Sequence, residues 1–291
     1  MGINLERYNR IINLYFFTNS GQVRSITCPH RGRKPSIEIN GTFTEKNYLP
    51  TINIVVKNLY LDLTDTTYTR IRIEAGYEGN TIPLEGTIQS IYQESPGPEG
   101  TTVIQVQNAS LGNWLDAEVN LNFEIGTPLA TVLEAIKPKL KVSQLKTGAK
   151  AATLNIRDTP FMHTGTARDA IAKLEKRFEE YELGIFVRSN MLCAICKNVD
   201  FAKTHTLQYM SAPPQKNTGG KAGTYYTTIT APWMPELDLY DILIIPARAY
   251  VMNFQLVAGL ISTQKIRVSA LSFHFATTGS TNQMTVQGTI V

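Results

Sequence analysis

Charge is scarce in this sequence. Lys, Arg, Asp and Glu make up 18% of its 291 residues, below the roughly 25% usual for soluble domains. The 28 basic and 24 acidic side chains leave a formal charge of +4, too mild for a protein that binds nucleic acid by neutralising many phosphates. Cysteine is scarcer still. Cys28, Cys193 and Cys196 are too few and too unevenly spaced for a disulfide framework, and an odd count leaves at least one thiol free, so a reducing compartment during folding is expected. Apolar runs such as ILII at 242–245 fall far short of the ~20 residues that cross a bilayer. The opening MGINLERYNRIINLYFF places Glu6 among its early charges and where a myristoylation pattern wants Ser or Thr, and it has no small-residue cleavage site. Neither signal peptide, lipid anchor nor stable membrane insertion is expected.

What is present is 43% hydrophobic residues, enough to bury a proper core, and a chain length that fits two or three packed units. Thr, Asn, Gln and Ser supply much of the polar surface. Such uncharged polarity suits a protein in lasting contact with others.

Alternation dominates the first part of the chain. In TRIRIEAGY, Ile71, Ile73 and Ala75 fall on one side and Arg70, Arg72 and Glu74 on the other, the period of two of a half-buried strand. TINIVVKNLY, LEGTIQSIY and TTVIQVQ repeat the pattern with Gly-rich connections, and RIINLYFF and PSIEINGTF extend it toward the N-terminus. Residues up to about 125 therefore read as one antiparallel barrel or sandwich. The period then changes. Thr127 and Pro128 read as a cap and first helical residue before the stripe Leu129, Val132, Leu133, Ile136, which Pro138 stops. A second helix is expected from Thr166, with Asp169 as the capping-box acid and Ile171, Leu174, Phe178 and Tyr181 inward, ending at Gly184. GIFVRSNMLCAIC then reads as a hairpin turning on Ser189 and Asn190. β character returns from about 203. There SFHFATTGSTNQMTVQGTI (272–290) shares the layout of SIYQESPGPEGTTVIQVQN (90–108), a faint internal duplication whose alternative is ordinary likeness between exposed hairpins.

Few residues invite a chemical role. G-x-S-x-G, H-E-x-x-H, Walker and G-x-G-x-x-G patterns are all missing. No catalytic residue, no cofactor and no metal ligand is therefore expected, and the chain is read as not an enzyme. Cys193-Ala-Ile-Cys196 lies mid-strand, where residues three apart point to opposite faces, so core packing is favoured over a metal site recruiting His205. Asp158 and His163 could serve hydrolysis only with distant partners. Adjacent Glu179 and Glu180 diverge too far on a helix to flank one bond. Two basic clusters remain, Arg31, Arg33 and Lys34 in CPHRGRK, and Lys137, Lys139 and Lys141, which Lys146 and Lys150 extend. They either meet an acidic or phosphate-bearing partner or are solvated loops guarding strand edges. They are the candidate partner contacts.

The order RKPSIEINGTF, TINIVVKNLY, TRIRIEAGYEG, IPLEGTIQSIYQESPG, TTVIQVQN, then a helix on TPLATVLEAI, a hairpin ending GIFVRSNMLCAICKN, and finally LQYMSAPPQKN and PWMPELDLYDILIIP, resembles the baseplate hub proteins of tailed bacteriophages. AGY followed by LEGTI and a Gly-rich hairpin is the most specific element, and the likeness runs over nearly the whole chain. The resemblance implies a mainly β chain with an α+β insertion. Two tail-tube-like antiparallel β-barrels, 1–126 and 203–291, would flank an α/β unit at 127–202 with two helices and a hairpin. It also implies a structural role. Three copies would form a pseudo-sixfold homotrimeric ring in the virion baseplate, assembled in the host bacterial cytoplasm and joining the tail tube, or a distal tail protein, to the central spike. Other baseplate proteins would surround it, and genomic DNA would pass through at ejection without sequence-specific binding. Because the sequence stops at Val291 after its last hairpin, cell-wall cleavage is expected of another protein, and the branch of secretion spikes with a long β-helix is disfavoured. The alternative is a carbohydrate- or receptor-binding β module at a tail tip, for which clustered Trp and Tyr would be needed.

Overall fold

The computed structural model describes residues 9–21, 23–28, 35–44, 51–58, 68–95, 100–107, 117–188, 191–197, 199–200, 203–207, 209–210, 215–217, 226–246, 250–251, 255–256, 263–278 and 282–291. Strands come first: β1 (Arg10–Thr18), β2 (Val23–Cys28), β3 (Ser36–Thr44), β4 (Thr51–Lys57), β5 (Tyr68–Tyr77), β6 (Asn80–Ser95) and β7 (Thr101–Gln107). An insertion follows with β8 (Glu118–Phe123), helix α1 (Leu129–Ile136), β9 (Gln144–Thr147), β10 (Phe161–Thr166), helix α2 (Ala167–Arg177), β11 (Leu183–Arg188) and β12 (Met191–Cys196). The chain then returns to β13 (Thr204–Thr206), β14 (Tyr209–Met210), β15 (Gln215–Asn217), β16 (Tyr226–Pro232), β17 (Ile242–Ile245), β18 (Tyr250–Val251), β19 (Gln255–Leu256), β20 (Gln264–Ala276) and β21 (Gln283–Ile290). The fold is mainly β with a small α/β insertion, and two compact units hold it: 1–107 together with 203–291, and 108–202.

In the larger unit thirteen strands share one sheet, whose main path runs β15-β16-β21-β20-β3-β4-β7-β6-β5-β1-β2. β17 pairs with β20, and β13 with β17. Alternation accounts for the strands: Ile12, Leu14 and Phe16 of β1, Ile52, Ile54 and Val56 of β4, and Ile71 and Ile73 of β5 are buried, while their neighbours face out. The path contains the same motif twice. Strands β3-β4-β7-β6 in the first half and β15-β16-β21-β20 in the second occur in the same spatial and sequential order, and the second set meets the first where β20 pairs antiparallel with β3. The sequence repeat therefore has a structural counterpart, but its alignment moves. Each long strand carries a bulge, between Ile88 and Ser90 in β6 and between Val268 and Ala270 in β20. Just beyond it Ser90 faces Gln105 and Ala270 faces Gln287. Ser90 thus matches Ala270, two positions before the Ser272 that the wording of the sequence picks out. A two-residue shift keeps every side chain on its face, so periodicity alone could not detect it.

In the insertion, β8 and β10 form an antiparallel pair, while β11, β12 and β9 form a three-stranded sheet. Helix α2 starts as its sequence dictates. Thr166 Oγ1 accepts from the Asp169 amide at 3.1 Å and donates to the Asp169 carboxylate at 2.8 Å. The helix ends at Arg177, earlier than Gly184, because Phe178 leaves helical geometry and a 3-10 turn at Glu179–Tyr181 leads through left-handed Glu182 into β11. Ile171, Leu174 and Phe178 are buried, but Tyr181 is only half-buried. Helix α1 buries Leu129, Val132, Leu133 and Ile136, yet Pro128 itself is the extended cap residue and Thr127 makes no side-chain cap. The amide of Leu129 instead donates to the Leu154 carbonyl, so tertiary structure fixes this start. Arg188 pairs with Met191 across the expected hairpin, whose turn residues Ser189 and Asn190 lie outside the described residues.

Candidate functional site

The seam between the two β halves is where the largest side chains collect. Trp233, 1% exposed, stacks on Phe273 with ring centres 4.9 Å apart and tilts against Phe275 at 4.4 Å. Tyr77 from β5 meets Phe275 edge-on at 5.5 Å, Phe43 from β3 stacks on Phe273 at 5.8 Å, and the Tyr77 hydroxyl donates to the Trp233 carbonyl at 3.3 Å. Gly41 permits this packing, since a Cβ there would lie 2.5 Å from the Phe273 ring. Each such ring buries enough surface for about 1.5–3 kcal/mol, and Phe43 and Tyr77 draw the first half onto the Trp233, Phe273 and Phe275 cluster of the second. Polar contacts finish the seam: Arg10 donates to the Ala276 carbonyl at 3.3 Å, and the Thr277 amide to the Ile37 carbonyl at 2.9 Å.

Over that aromatic layer the outer face of the sheet carries almost no charge. A shallow groove of about 440 Å³ crosses the seam, lined by Asn40, Thr42, Thr51, Asn53, Ser272, His274, Gln283 and Thr285. Thr228, Thr230, Gln287, Gln105 and Gln107 continue the same surface on neighbouring strands. At its margin Glu38 accepts an ion pair from Lys57 at 2.6 Å, which cancels the two charges. The far strands differ: Arg70, Arg72 and Glu74 of β5 and Glu85 of β6 stand outward, with Arg72 and Glu74 2.8 Å apart. The band can exchange hydrogen bonds with a passing or docked surface but offers no fixed charge to hold one. Composition announced its material, Thr, Asn, Gln and Ser at outward positions, but not its place, because the β20–β3 pairing joins residues more than two hundred apart.

The basic candidates divide. Arg31, Arg33 and Lys34 lie outside the described residues. Lys137, Lys139 and Lys141 share the corner after α1, where buried Leu140 and Val142 alternate with them and turn them outward. Lys137 is paired with Glu134 at 2.5 Å, Lys139 and Lys141 are exposed, and Lys141 has φ of 55°. Lys150, in the extended cluster, places its ammonium 5.1 Å from the Tyr181 ring centre.

Cys193 and Cys196 are buried thiols on β12. Burial, and then the neighbouring Asp200 carboxylate, push the Cys196 thiol up to about 11 from 9.0, so it stays protonated and unreactive at neutral pH. Asp200 escaped the sequence reading as a lone acid in a polar stretch. Its carboxylate accepts the amides of Lys150 at 2.6 Å, Ala151 at 3.1 Å and Cys196 at 2.9 Å, and so ties the 3-10 turn at Ala151–Thr153 to the end of β12. Gly148 is required beside it, where a Cβ would collide with that carboxylate. His205 is held by buried Asp241, with Nε2 2.9 Å from Oδ2. His163 is buried with Nε2 3.0 Å from the Thr166 carbonyl, whereas Asp158 is exposed at φ of 64°. Glu179 and Glu180 are both exposed. Among the described residues, no group of three or more His, Cys, Asp or Glu side chains is placed to hold a metal ion, and no helix is long and apolar enough to cross a membrane.

No protein-family model matches the chain, and comparison with curated proteins finds no relative. Solved structures do match, over almost the whole length. A tail protein from Neisseria meningitidis MC58 superposes with a TM-score of 0.61 at 8% identity, covering 97% of each chain. The 43 kDa tail protein of prophage MuSo2 from Shewanella oneidensis gives 0.59 at 8% identity, with 97% of this chain and 96% of that one. The E. coli c3393 protein, a type VI secretion component described as similar to the T4 bacteriophage tail proteins gp27 and gp5, gives 0.56 at 8% identity, with 90% and 76% covered. At such identities the likeness is one of fold. That fold is the one these tail proteins share.

Proposed function

We propose that this chain is a structural baseplate hub protein of a phage tail. Three copies form a pseudo-sixfold ring that joins the tail tube to a central spike and surrounds the path of the DNA. The observation that carries this reading is the doubled strand order β3-β4-β7-β6 and β15-β16-β21-β20 within one sheet. A sixfold tube can dock on three subunits only if each subunit offers two similar surfaces, and the doubled order supplies them. Support comes also from the near-complete likeness to tail proteins and from the uncharged outer band, which suits contact with neighbouring copies and with a sliding polyanion better than a field of fixed charge would. The partners are then the chain itself, the tube or a distal tail protein, the spike and other baseplate proteins. The place of action is the virion tail after assembly in the bacterial cytoplasm. No catalytic step is assigned, and DNA passes without sequence readout.

A carbohydrate- or receptor-binding role at a tail tip draws less support, since Trp233 is buried in the seam and cannot stack on a sugar ring. Copy number in purified tails tests the proposal. Three copies per tail support the hub, whereas a single copy at a fibre tip with glycan-array binding supports the alternative.

A further inference from the structure

The three-stranded sheet of the insertion has two edges, and they are finished differently. On β11 the Leu183 amide donates to the Phe178 carbonyl at 3.4 Å and the Ile185 amide to the Glu175 carboxylate at 2.8 Å, so that edge is closed from within. β9 is the other terminal strand and pairs, in parallel, with β12 alone. Thr147 stands in register with Ala194, and the Gly148 amide donates to the Ala194 carbonyl at 2.8 Å. In a parallel ladder this pattern turns the backbone of Gln144, Lys146 and Gly148 toward β12 and that of Leu145 and Thr147 away from it. Among the described residues the outward amides and carbonyls of Leu145 and Thr147 meet no hydrogen-bond partner. Charge around this edge is one-sided. From Ala135 to Arg157 the sequence has six basic side chains and no acidic one. Lys139, Lys141 and Lys146 are exposed, while Glu134, just before the run, is occupied by Lys137, and Asp200 by three amides.

We propose that β9 takes up an additional strand from another protein, an extended segment in which acidic and apolar residues alternate. The outward backbone groups of Leu145 and Thr147 supply the pairing. The two faces of β9 supply the alternation: Leu145 and Thr147 are half-buried and in register with buried Leu192 and Ala194, whereas Lys146 between them is exposed. Apolar side chains of the added strand extend the first row, and its acids stand beside Lys146. Lys139 and Lys141, a few residues upstream, add a positive field that gathers acidic segments. A lysine on an open edge ordinarily deters pairing, so this edge admits a strand that neutralises it and rejects one that does not. A phosphate backbone would satisfy the lysines but not the outward carbonyls, which need amide donors. The inference does not depend on the ring reading.

The test uses the full chain and a short fluorescent peptide in which glutamate and valine alternate. The expected result is saturable binding, weakened about tenfold or more by Lys146→Glu, because a cross-strand pair turns from attractive to repulsive. Backbone pairing has its own signature. A strand turns alternate amides toward its neighbour, so methylating the backbone nitrogens of one residue type should abolish binding and methylating those of the other should leave it. Loss on valine means an antiparallel added strand, and loss on glutamate a parallel one. Thr147→Pro removes an amide that the ladder with β12 does not use, a substitution that outward edge positions accept, and should abolish binding while the denaturant midpoint holds. The methylated peptides read the wild type, so that arm stands even if the proline variant does not fold. No saturable binding, or equal loss from both methylated peptides, overturns the strand addition. If binding survives both methylations and duplex DNA competes for it, the lysines serve a phosphate-bearing partner and the strand addition is again overturned.

Discussion

The two β halves follow one plan with exchanged parts. In the first, Gly86 on β6 lies against Val106 and the Gln107 carbonyl of β7, leaving no room for a Cβ. In the second the glycine has crossed over: Gly288 on β21 lies against Ile266 and the Arg267 carbonyl of β20 in the same way. By the pairing around the two bulges Gly86 matches Ile266, and Val106 matches Gly288. The small and large partners have traded strands, and in each half one glycine lies against one β-branched side chain, to within a methylene of the same volume, as close packing favours. The inner row of β4, Ile52, Ile54 and Val56, becomes Thr227, Ile229 and Ala231 in β16, smaller and with one hydroxyl. The shared design is therefore a matter of strand order, bulge position and pair volume. Residue identity is free to drift, which is why the duplication is so faint in the sequence.

The strongest way to break the relation between the halves is to empty the seam that joins them. Trp233→Ala should cost about 3–5 kcal/mol of stability, seen as a lower denaturant midpoint with loss of cooperativity in the β unit. An unchanged midpoint would mean that the aromatic cluster does not hold the seam. Alkali separates the insertion from the β halves. The Cys196 thiol is raised in the folded state, so its contribution is complete below the unfolded value near 9 and is lost as pH rises through about 11. The wild type should lose about 2–3 kcal/mol more than Cys196→Ala across that window. Parallel pH profiles for the two proteins would contradict it. The glycine exchange is sharpened by a cycle: Gly86→Ile alone should cost about 1–3 kcal/mol by overpacking, and adding Val106→Gly should recover part of it, with a coupling of at least about 0.5 kcal/mol. Strict additivity would show that the two positions are not a volume pair. Smallest of all, Lys139→Gln with Lys141→Gln should shift stability by less than about 0.5 kcal/mol while weakening any acidic partner's hold on that corner, measurable as reduced incorporation into tails.

Legibility followed the range of the interactions. Strands such as β5 and the cap at Thr166 were readable because alternation and a capping box act within a few residues. The end of α2 differs from the expected one because Phe178 is apolar enough to continue a helix, whereas the chain leaves helical geometry there and passes through a 3-10 turn and left-handed Glu182 into β11. Pro128 looked like a first helical residue, but the start of α1 is set by Leu154, twenty-five positions away in sequence. The candidate site was legible in substance and hidden in place. An uncharged Thr, Asn and Gln surface could be expected from composition, yet its assembly across β21, β20, β3 and β4 depends on pairing the two ends of the chain. Asp200 gave no signal, because a carboxylate that accepts three amides looks in sequence like any other aspartate.

The central claim is that each chain contributes two equivalent four-strand sets to one ring. An electron-microscopy map of the tail containing this protein tests it most directly. The account predicts three copies around the axis, with the β3-β4-β7-β6 and β15-β16-β21-β20 sets alternating at sixfold-related positions beneath the tube. A ring of six copies with only one set per chain facing the tube, or a single copy at a fibre tip, would contradict it.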